Sequence, residues 1–319
     1  MQESNSNNLE ISNVNIQTAS VLKDGYKKLF YQRGQCQNLG ENAYHDLIIN
    51  PYADNITKID LKDTGLANRE LKVIGENRTW QNLQELCLSS NLHNRCSARP
   101  ILENKTWPKL RILSLLLMKL DLSDFERLGQ DNPWKMLEVV SLNRCELTNQ
   151  GCTILAEITD WPELKLLSLQ MNGICDRGAA DLAANMAWRS LEELYLDHNR
   201  IGDKVSIALG SNMNWKNLKV PSLNTNIICD LGAEGLAKNS AWVALESLCL
   251  RRNRLTDAGI KAIAGNSSWK MLRSINFQEN PNISKEIWQL LGQNTLFGSL
   301  IRAGMEKKVK KHQDSEVLK

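Results

Sequence analysis

The chain has 319 residues, with 39 Lys and Arg against 36 Asp and Glu for a net charge of +3, 24% charged and 42% apolar residues. That balance creates no field calling for nucleic acid or an anionic membrane, and no apolar stretch approaches the roughly 18 residues of a membrane span. A protein binding neither is therefore expected, and with no H-E-x-x-H, G-x-x-x-x-G-K-[ST] or G-x-S-x-G motif it is expected to carry no cofactor.

Residues 1–17 are rich in Asn and Ser and lack the basic and apolar blocks of a signal peptide. A disordered N-terminus and a cytoplasmic location are expected. In 18–52, Val21, Leu22, Tyr26, Leu29 and Phe30 have helical spacing, and Tyr44, Leu47 and Ile48 form a second short apolar group. This stretch is expected to be an N-terminal cap or a small adaptor. No Pro precedes Pro51, so the Leu-Pro start of an F-box is missing.

From residue 53 the chain is periodic. Trp80, Trp107, Trp134, Trp161, Trp188, Trp215, Trp242 and Trp269 each follow the last by 27 residues, and only Trp288 is outside the series. With Trp at place 1, most repeats restate W-x-x-L-x-x-L-x-L-x-x-N-x-I, and the better ones continue x-D-x-G-A-x-x-L-A-x-N. The unit at Trp161 shows it best, with Leu164, Leu167, Leu169, Asn172, Ile174, Asp176, Gly178, Ala179, Leu182, Ala183 and Asn185. Ala53 holds the Trp place of a first copy, so nine 27-residue repeats are expected over 53–295. Beyond them Leu296, Phe297, Leu300 and Ile301 are expected to cap the stack. Lys307, Lys308, Lys310 and Lys311 follow on a polar tail, completing a C-terminal cap and basic tail over 296–319.

Leu at places 7 and 9 has the spacing that puts side chains on one face of a strand. After place 16 the period changes to a helical one, as in Gly178, Ala179, Leu182 and Ala183. Asp176, Asp203, Asp230 and Asp257 stand where a helix N-cap belongs. Strands stacked about 4.8 Å apart with wider helices behind them are expected to bend into a horseshoe.

The pattern resembles the leucine-rich repeat family, with its L-x-x-L-x-L-x-x-N/C-x-L signature, and more narrowly the ribonuclease-inhibitor-like class with a helix in each repeat. The Gly-Ala-x-x-Leu-Ala segment is similar to the GALA-type repeats of bacterial effector proteins. The resemblance implies an α/β fold: a solenoid with a parallel sheet on its concave face and helices on its convex face. It also implies that the place-12 Asn (Asn91, Asn172, Asn199, Asn226, Asn253 and Asn280) points inward to bond the turn backbone. The Trp column is expected to be a packed ladder.

The eight cysteines are expected to be reduced. Cys87 and Cys249 share a strand place but lie about 29 Å apart along the sheet, while a disulfide needs Cα atoms within ~7 Å. Cys36, Cys96 and Cys152 show no metal-ligand spacing. Catalytic constellations are missing, and His198 beside Asp197 is expected to be a solvated pair rather than an acid–base couple. The protein is therefore expected not to be an enzyme.

What remains is the concave face, at places 6, 8, 10 and 11. Repeats three to six supply Ile112, Leu116, Leu117, Val139, Leu166, Met171 and Tyr195 there, beside Arg144, Glu193, Asp197 and His198, with Arg251 and Arg252 further on. An apolar centre with a charged rim is how protein interfaces are commonly built, although Leu116 and Leu117 could instead turn inward. The expected function is a monomeric, noncatalytic protein-interaction module, an intracellular effector or adaptor. The alternatives are a regulator of an enzyme, as in ribonuclease inhibition or GTPase activation, and a substrate receptor of a ubiquitin ligase.

Overall fold

The computed structural model describes residues 56–62, 66–88, 96–129 and 133–287, together with the backbone of 9–12. The cap or adaptor expected over 18–52 and the C-terminal cap and tail over 296–319 lie outside the described residues, as do Cys36 and Trp288.

Each repeat contributes a short strand. In chain order these are β2 (Ile56–Asp60), β3 (Glu85–Cys87), β4 (Ile112–Ser114), β5 (Val139–Ser141), β6 (Leu166–Ser168), β7 (Glu193–Tyr195), β8 (Val220–Ser222), β9 (Ser247–Cys249) and β10 (Ser274–Asn276). They form one parallel sheet in sequence order, and the paired residues lie 27 apart throughout, as in Leu166↔Glu193 and Leu167↔Leu194. The fold is the α/β solenoid, with one parallel sheet and a helix behind most strands, that the resemblance to leucine-rich repeats implies. A further strand, β1 (Leu9–Ser12), pairs in parallel with β2 through Ile11↔Ile59, inside the stretch 1–17 for which disorder is expected.

Strand residues fall at places 6 to 8, and the place-7 side chain is turned into the core. Ile59, Leu86, Leu113, Val140, Leu167, Leu194 and Leu248 are all buried there. Pro221 occupies the same place in β8. It has no N–H to donate, and β8 meets β9 only at Ser222↔Cys249, where most neighbouring strands pair over three residues.

Behind the sheet run α1 (Asn68–Glu76), α2 (Arg99–Leu102), α3 (Leu122–Gly129), α4 (Asn149–Ala156), α5 (Asp176–Ala183), α6 (Asp203–Ser211), α7 (Asp230–Ala237) and α8 (Asp257–Ala264). No helix among the described residues is long and apolar enough to cross a membrane.

The aspartates do not cap their own helices. The N-cap residues are Cys175, Gly202, Cys229 and Thr256, and each Asp is the first helical residue after one of them. Its carboxylate reaches sideways instead: Asp176 accepts from the Gly202 N–H at 2.6 Å, and Asp203 from Cys229 and Gly232 N–H at 2.7 and 3.0 Å. Asp230 and Asp257 repeat the arrangement towards Thr256 and Ser284. The unpaired N–H groups of one helix are thus satisfied by the acid of the repeat before it. This explains the place-18 glycine, because a Cβ on Gly259 would sit 2.5 Å from Asp230 Oδ1 and one on Gly232 2.6 Å from Asp203 Oδ1.

Two asparagine columns tie the turns. At place 12, Asn199 donates to the carbonyls of Leu169 and Leu196 (3.1 and 3.0 Å), and its Oδ1 accepts from Asn172 and Ile174 N–H (3.0 and 3.1 Å). Asn226, Asn253 and Asn280 restate this bridge. At place 25, Asn104, Asn185, Asn212, Asn239 and Asn266 do the same on the other side, while Asn77 bonds Thr79 and Trp80 in its own turn. Asn212, for example, donates to Ala183 and Asn185 carbonyls and accepts from Trp215 N–H. Buried polar backbone needs such partners, so both columns are structural.

All eight periodic tryptophans are buried. Trp80 and Trp107 stack with ring centroids 6.1 Å apart, Trp107 and Trp134 at 6.4 Å, and Trp242 and Trp269 at 6.2 Å. The packed ladder expected of this column is what the structure contains.

Candidate docking face

The helices cover one side of the sheet, so the other side presents whatever stands at places 6, 8 and 10. Parallel register with a constant 27-residue offset turns each place into a row across the strands. The place-6 row reads Lys58, Glu85, Ile112, Val139, Leu166, Glu193, Val220, Ser247 and Ser274. Ile112, Val139 and Leu166 are consecutive rungs, each half-buried. They form an apolar strip about 10 Å long.

The place-8 row is mostly small: Ser114, Ser141, Ser168, then Tyr195, then Ser222 and Cys249. Tyr195 is the one large side chain in that run. Its hydroxyl donates to Glu193 of the same strand, and burial first, then this carboxylate, push the phenol well above its usual range.

Place 10 supplies polar ties. Asn143 Oδ1 accepts from Ser168 Oγ at 2.8 Å and Gln170 N–H at 2.7 Å, and Asn224 Oδ1 accepts from Arg251 N–H at 2.9 Å. Asp197, only 6% exposed, does the same work with a carboxylate, accepting from Ser222 Oγ (2.6 Å), Asn224 N–H (2.9 Å) and Gln170 Nε2 (2.8 Å). These bonds, and not His198, occupy the carboxylate. His198 is exposed on the adjoining place.

Place 11 has a conformation that the residue types do not announce. Leu117, Arg144, Met171, His198, Thr225, Arg252 and Glu279 all have positive φ, between 54° and 69°. No glycine stands in this column, although left-handed backbone favours one. The geometry is held because the N–H at this place continues the sheet ladder: Met171 N–H donates to Asp197 O at 3.0 Å and His198 N–H to Asn224 O at 2.9 Å. It swings the side chain out at the end of the strand, so Arg144, Met171, His198 and Arg252 are exposed. Leu116 and Leu117 are half-buried, between the two orientations considered for them, while their neighbours Leu115 and Met118 are buried.

Charges on this side largely cancel. Lys58 pairs with Glu85 at 2.6 Å. Arg251 and Arg252 both pair with Glu279, whose carboxyl they hold below its usual range, Arg251 first. The two arginines are thus tied to a carboxylate that the rim reading omits. Along place 5, Arg111, Glu138 and Lys165 form a chain of ion pairs, followed by Glu192 with Lys219 at 2.6 Å. Burial alone would raise Glu138, but hydrogen bonds from Lys165 and Arg111 leave it lowered. Among the described residues, no ion pair reaches Glu193 or Asp197.

No group of His, Cys, Asp and Glu among the described residues is arranged to hold a metal ion. The seven described cysteines are free thiols, with Cys87, Cys96, Cys145 and Cys152 buried. Of the candidate residues, the structure brings Ile112, Val139 and Leu166 together with Glu193, Tyr195 and Asp197 across four adjacent strands. Arg144 and Met171 join them at the strand ends through a contact from Arg144 Nε to Met171 Sδ at 2.8 Å. Arg251 and Arg252 lie two repeats beyond Tyr195.

No family model matches the chain, and no curated protein is significantly similar to it. Among solved structures, it is similar to an internalin from Listeria monocytogenes, with 19% identity over 77% of this chain and a TM-score of 0.47; the chain spans 66% of that protein, just under two thirds. Rad7, solved in complex with Elc1 from yeast, gives 18% identity, 79% and 70% coverage and a TM-score of 0.47. The C-terminal domain of tropomodulin from Caenorhabditis elegans gives 14% identity, 48% and 93% coverage and a TM-score of 0.37.

Proposed function

We propose that this protein is a noncatalytic interaction module of the ribonuclease-inhibitor-like kind with GALA-type repeats, acting as a monomer in the cytoplasm as an effector or adaptor. Its partner protein docks on the strand side, taken as the concave face. The observation that carries this reading is the strip Ile112, Val139 and Leu166. Three aliphatic side chains stand side by side on the sheet face that no helix covers, where the other rungs are charged or small except Val220, which is separated from them by Glu193. Grouped exposed apolar surface with a polar surround marks an interaction site.

Around that strip, Arg144, Met171, Glu193, Tyr195 and His198 complete the contact surface with Asp197 buried just behind it, Leu116 and Leu117 on one flank and Arg251 and Arg252 on the other. A photo-crosslinking amino acid placed at Val139 or Leu166, compared with one at the helix-side residue Leu231, tests the assignment in the native cell. A partner captured from the two strand-side positions and not from Leu231 is expected. Capture from Leu231 alone would move the site to the helices.

A further inference from the structure

We infer that the docking face selects a protein segment carrying apolar side chains followed, about 14 Å on, by a lysine or arginine. This deepens the reading of the strand side as the docking surface and rests on it.

Three features converge on one repeat. Glu193, Tyr195 and Asp197 follow one another at places 6, 8 and 10, immediately beyond the last rung of the apolar strip at Leu166. Elsewhere on this face Lys58 pairs with Glu85, Arg251 and Arg252 share Glu279, and Arg144 lies against the Met171 thioether two repeats before Asp197. Of the place-5 lysines on the flanking strands, Lys219 is engaged by Glu192 and Lys165 by Glu138. Glu193 and Asp197 therefore leave two uncompensated negative charges at the end of the strip.

The charge at Asp197 is not needed for folding. Asn143 and Asn224 occupy the same place and accept the same cross-repeat N–H bond with a neutral amide. A carboxylate that is only 6% exposed and held by three donors is more costly to desolvate than that amide, so its negative potential is the property that distinguishes this repeat. It acts on a ligand through its field. Glu193 and Tyr195 are half-buried and available for contact. With its hydroxyl bonded to Glu193, Tyr195 offers a ring to a cation, which strengthens that attraction.

The geometry sets the spacing of the ligand. From Ile112 to Glu193 is three strand intervals, about 14 Å. An extended segment places alternate side chains on one face about 6.6 Å apart, so apolar residues at i and i+2 and a basic one at i+4 match the row. Complementary charge then fixes direction as well as register.

The test is a displayed library of random peptides selected against the full chain, with binding then measured on four proteins: wild type, Glu193→Gln with Asp197→Asn, Leu166→Glu, and Glu234→Gln, which removes an exposed carboxylate on the helix side. In the double variant Asp197→Asn keeps an oxygen for Ser222 Oγ and Asn224 N–H and gives up the acceptor facing Gln170 Nε2, and the fold is checked by its melting temperature. Selected peptides with alternating apolar residues ending in Lys or Arg are expected. They should bind the double variant at least tenfold more weakly, fail to bind Leu166→Glu, and bind Glu234→Gln as they bind wild type. Peptides without a basic residue, or ones that lose binding to Leu166→Glu but not to the double variant, would overturn the charge selection while leaving the docking face standing. Peptides indifferent to both changes would remove the docking face as well, and a library yielding no binder would overturn the inference.

Discussion

Asp230 caps a helix to which it does not belong: its Oδ1 accepts from the N–H groups of Thr256 and Gly259, at 2.8 and 2.9 Å, at the start of α8 in the next repeat. Each repeat's helix start is therefore completed by the one before it, and stability is carried between repeats as much as within them.

This coupling is measurable by a double-mutant cycle. Asp230→Ala removes the cap and should cost about 1 to 2 kcal/mol. Gly259→Ala adds a methyl 2.5 Å from the same carboxylate oxygen and should cost about 1 to 3 kcal/mol as overpacking. In the Asp230→Ala background the methyl meets no carboxylate and should be close to neutral. Strict additivity in denaturant unfolding would show that the two residues do not share this contact.

The tryptophan ladder separates volume from polarity. Trp188→Ala opens a cavity and should cost about 3 to 5 kcal/mol. The Trp188 indole N–H is buried without an acceptor in the protein, so Trp188→Phe loses no hydrogen bond and should cost clearly less. Equal losses for Phe and Ala would contradict the unpaired indole.

Thr225 is β-branched at a φ of 54°, a conformation unfavourable for such a residue. Thr225→Gly should stabilise the protein by about 0.5 to 1 kcal/mol, the relief of backbone strain exceeding the greater freedom of unfolded glycine. A lower melting temperature for this variant would mean that the hydroxyl or methyl makes a contact worth more than the strain.

Burial pushes the Cys87 thiol up to about 11 and the Cys145 thiol up to about 12, and raises Cys152 further. These groups stay protonated in the folded chain while their unfolded counterparts ionise near 9. The unfolded state then binds fewer protons, so stability should fall as pH rises from about 9 towards 12. Below pH 9 they add no pH dependence. Maleimide labelling at pH 8 should reach Cys175, Cys229 and Cys249 first and the four buried thiols, Cys87, Cys96, Cys145 and Cys152, only on unfolding. Reductant should leave the melting temperature unchanged.

Much of this architecture is legible in the 27-residue period, because a repeat that must bury the same side chains in every copy restates them in sequence. Leu164, Leu167 and Leu169 mark the strand and its inward face without any structure. The aspartate column is legible as a cap but not as a cap for the following repeat, since residue type says nothing of which helix an acid serves. The left-handed column at place 11 is hidden because Leu117, Met171 and Arg252 carry no backbone signature. The engagement of Arg251 and Arg252 by Glu279 was open to reading, as Arg252 and Glu279 stand one period apart. The uncompensated charges at Glu193 and Asp197 emerge only once the neighbouring ion pairs are placed.

The most direct measurement is the affinity of a purified partner for wild type, Leu166→Glu, Tyr195→Ala and Leu231→Glu, with the fold checked by circular dichroism. Leu231 is 64% exposed on the helix side and serves as the control. Leu166→Glu and Tyr195→Ala should each weaken binding by at least about 2 kcal/mol, the scale of a hot spot, with unchanged spectra, while Leu231→Glu binds as wild type does. Full affinity in both strand-side variants, with loss in Leu231→Glu, would contradict docking on the sheet.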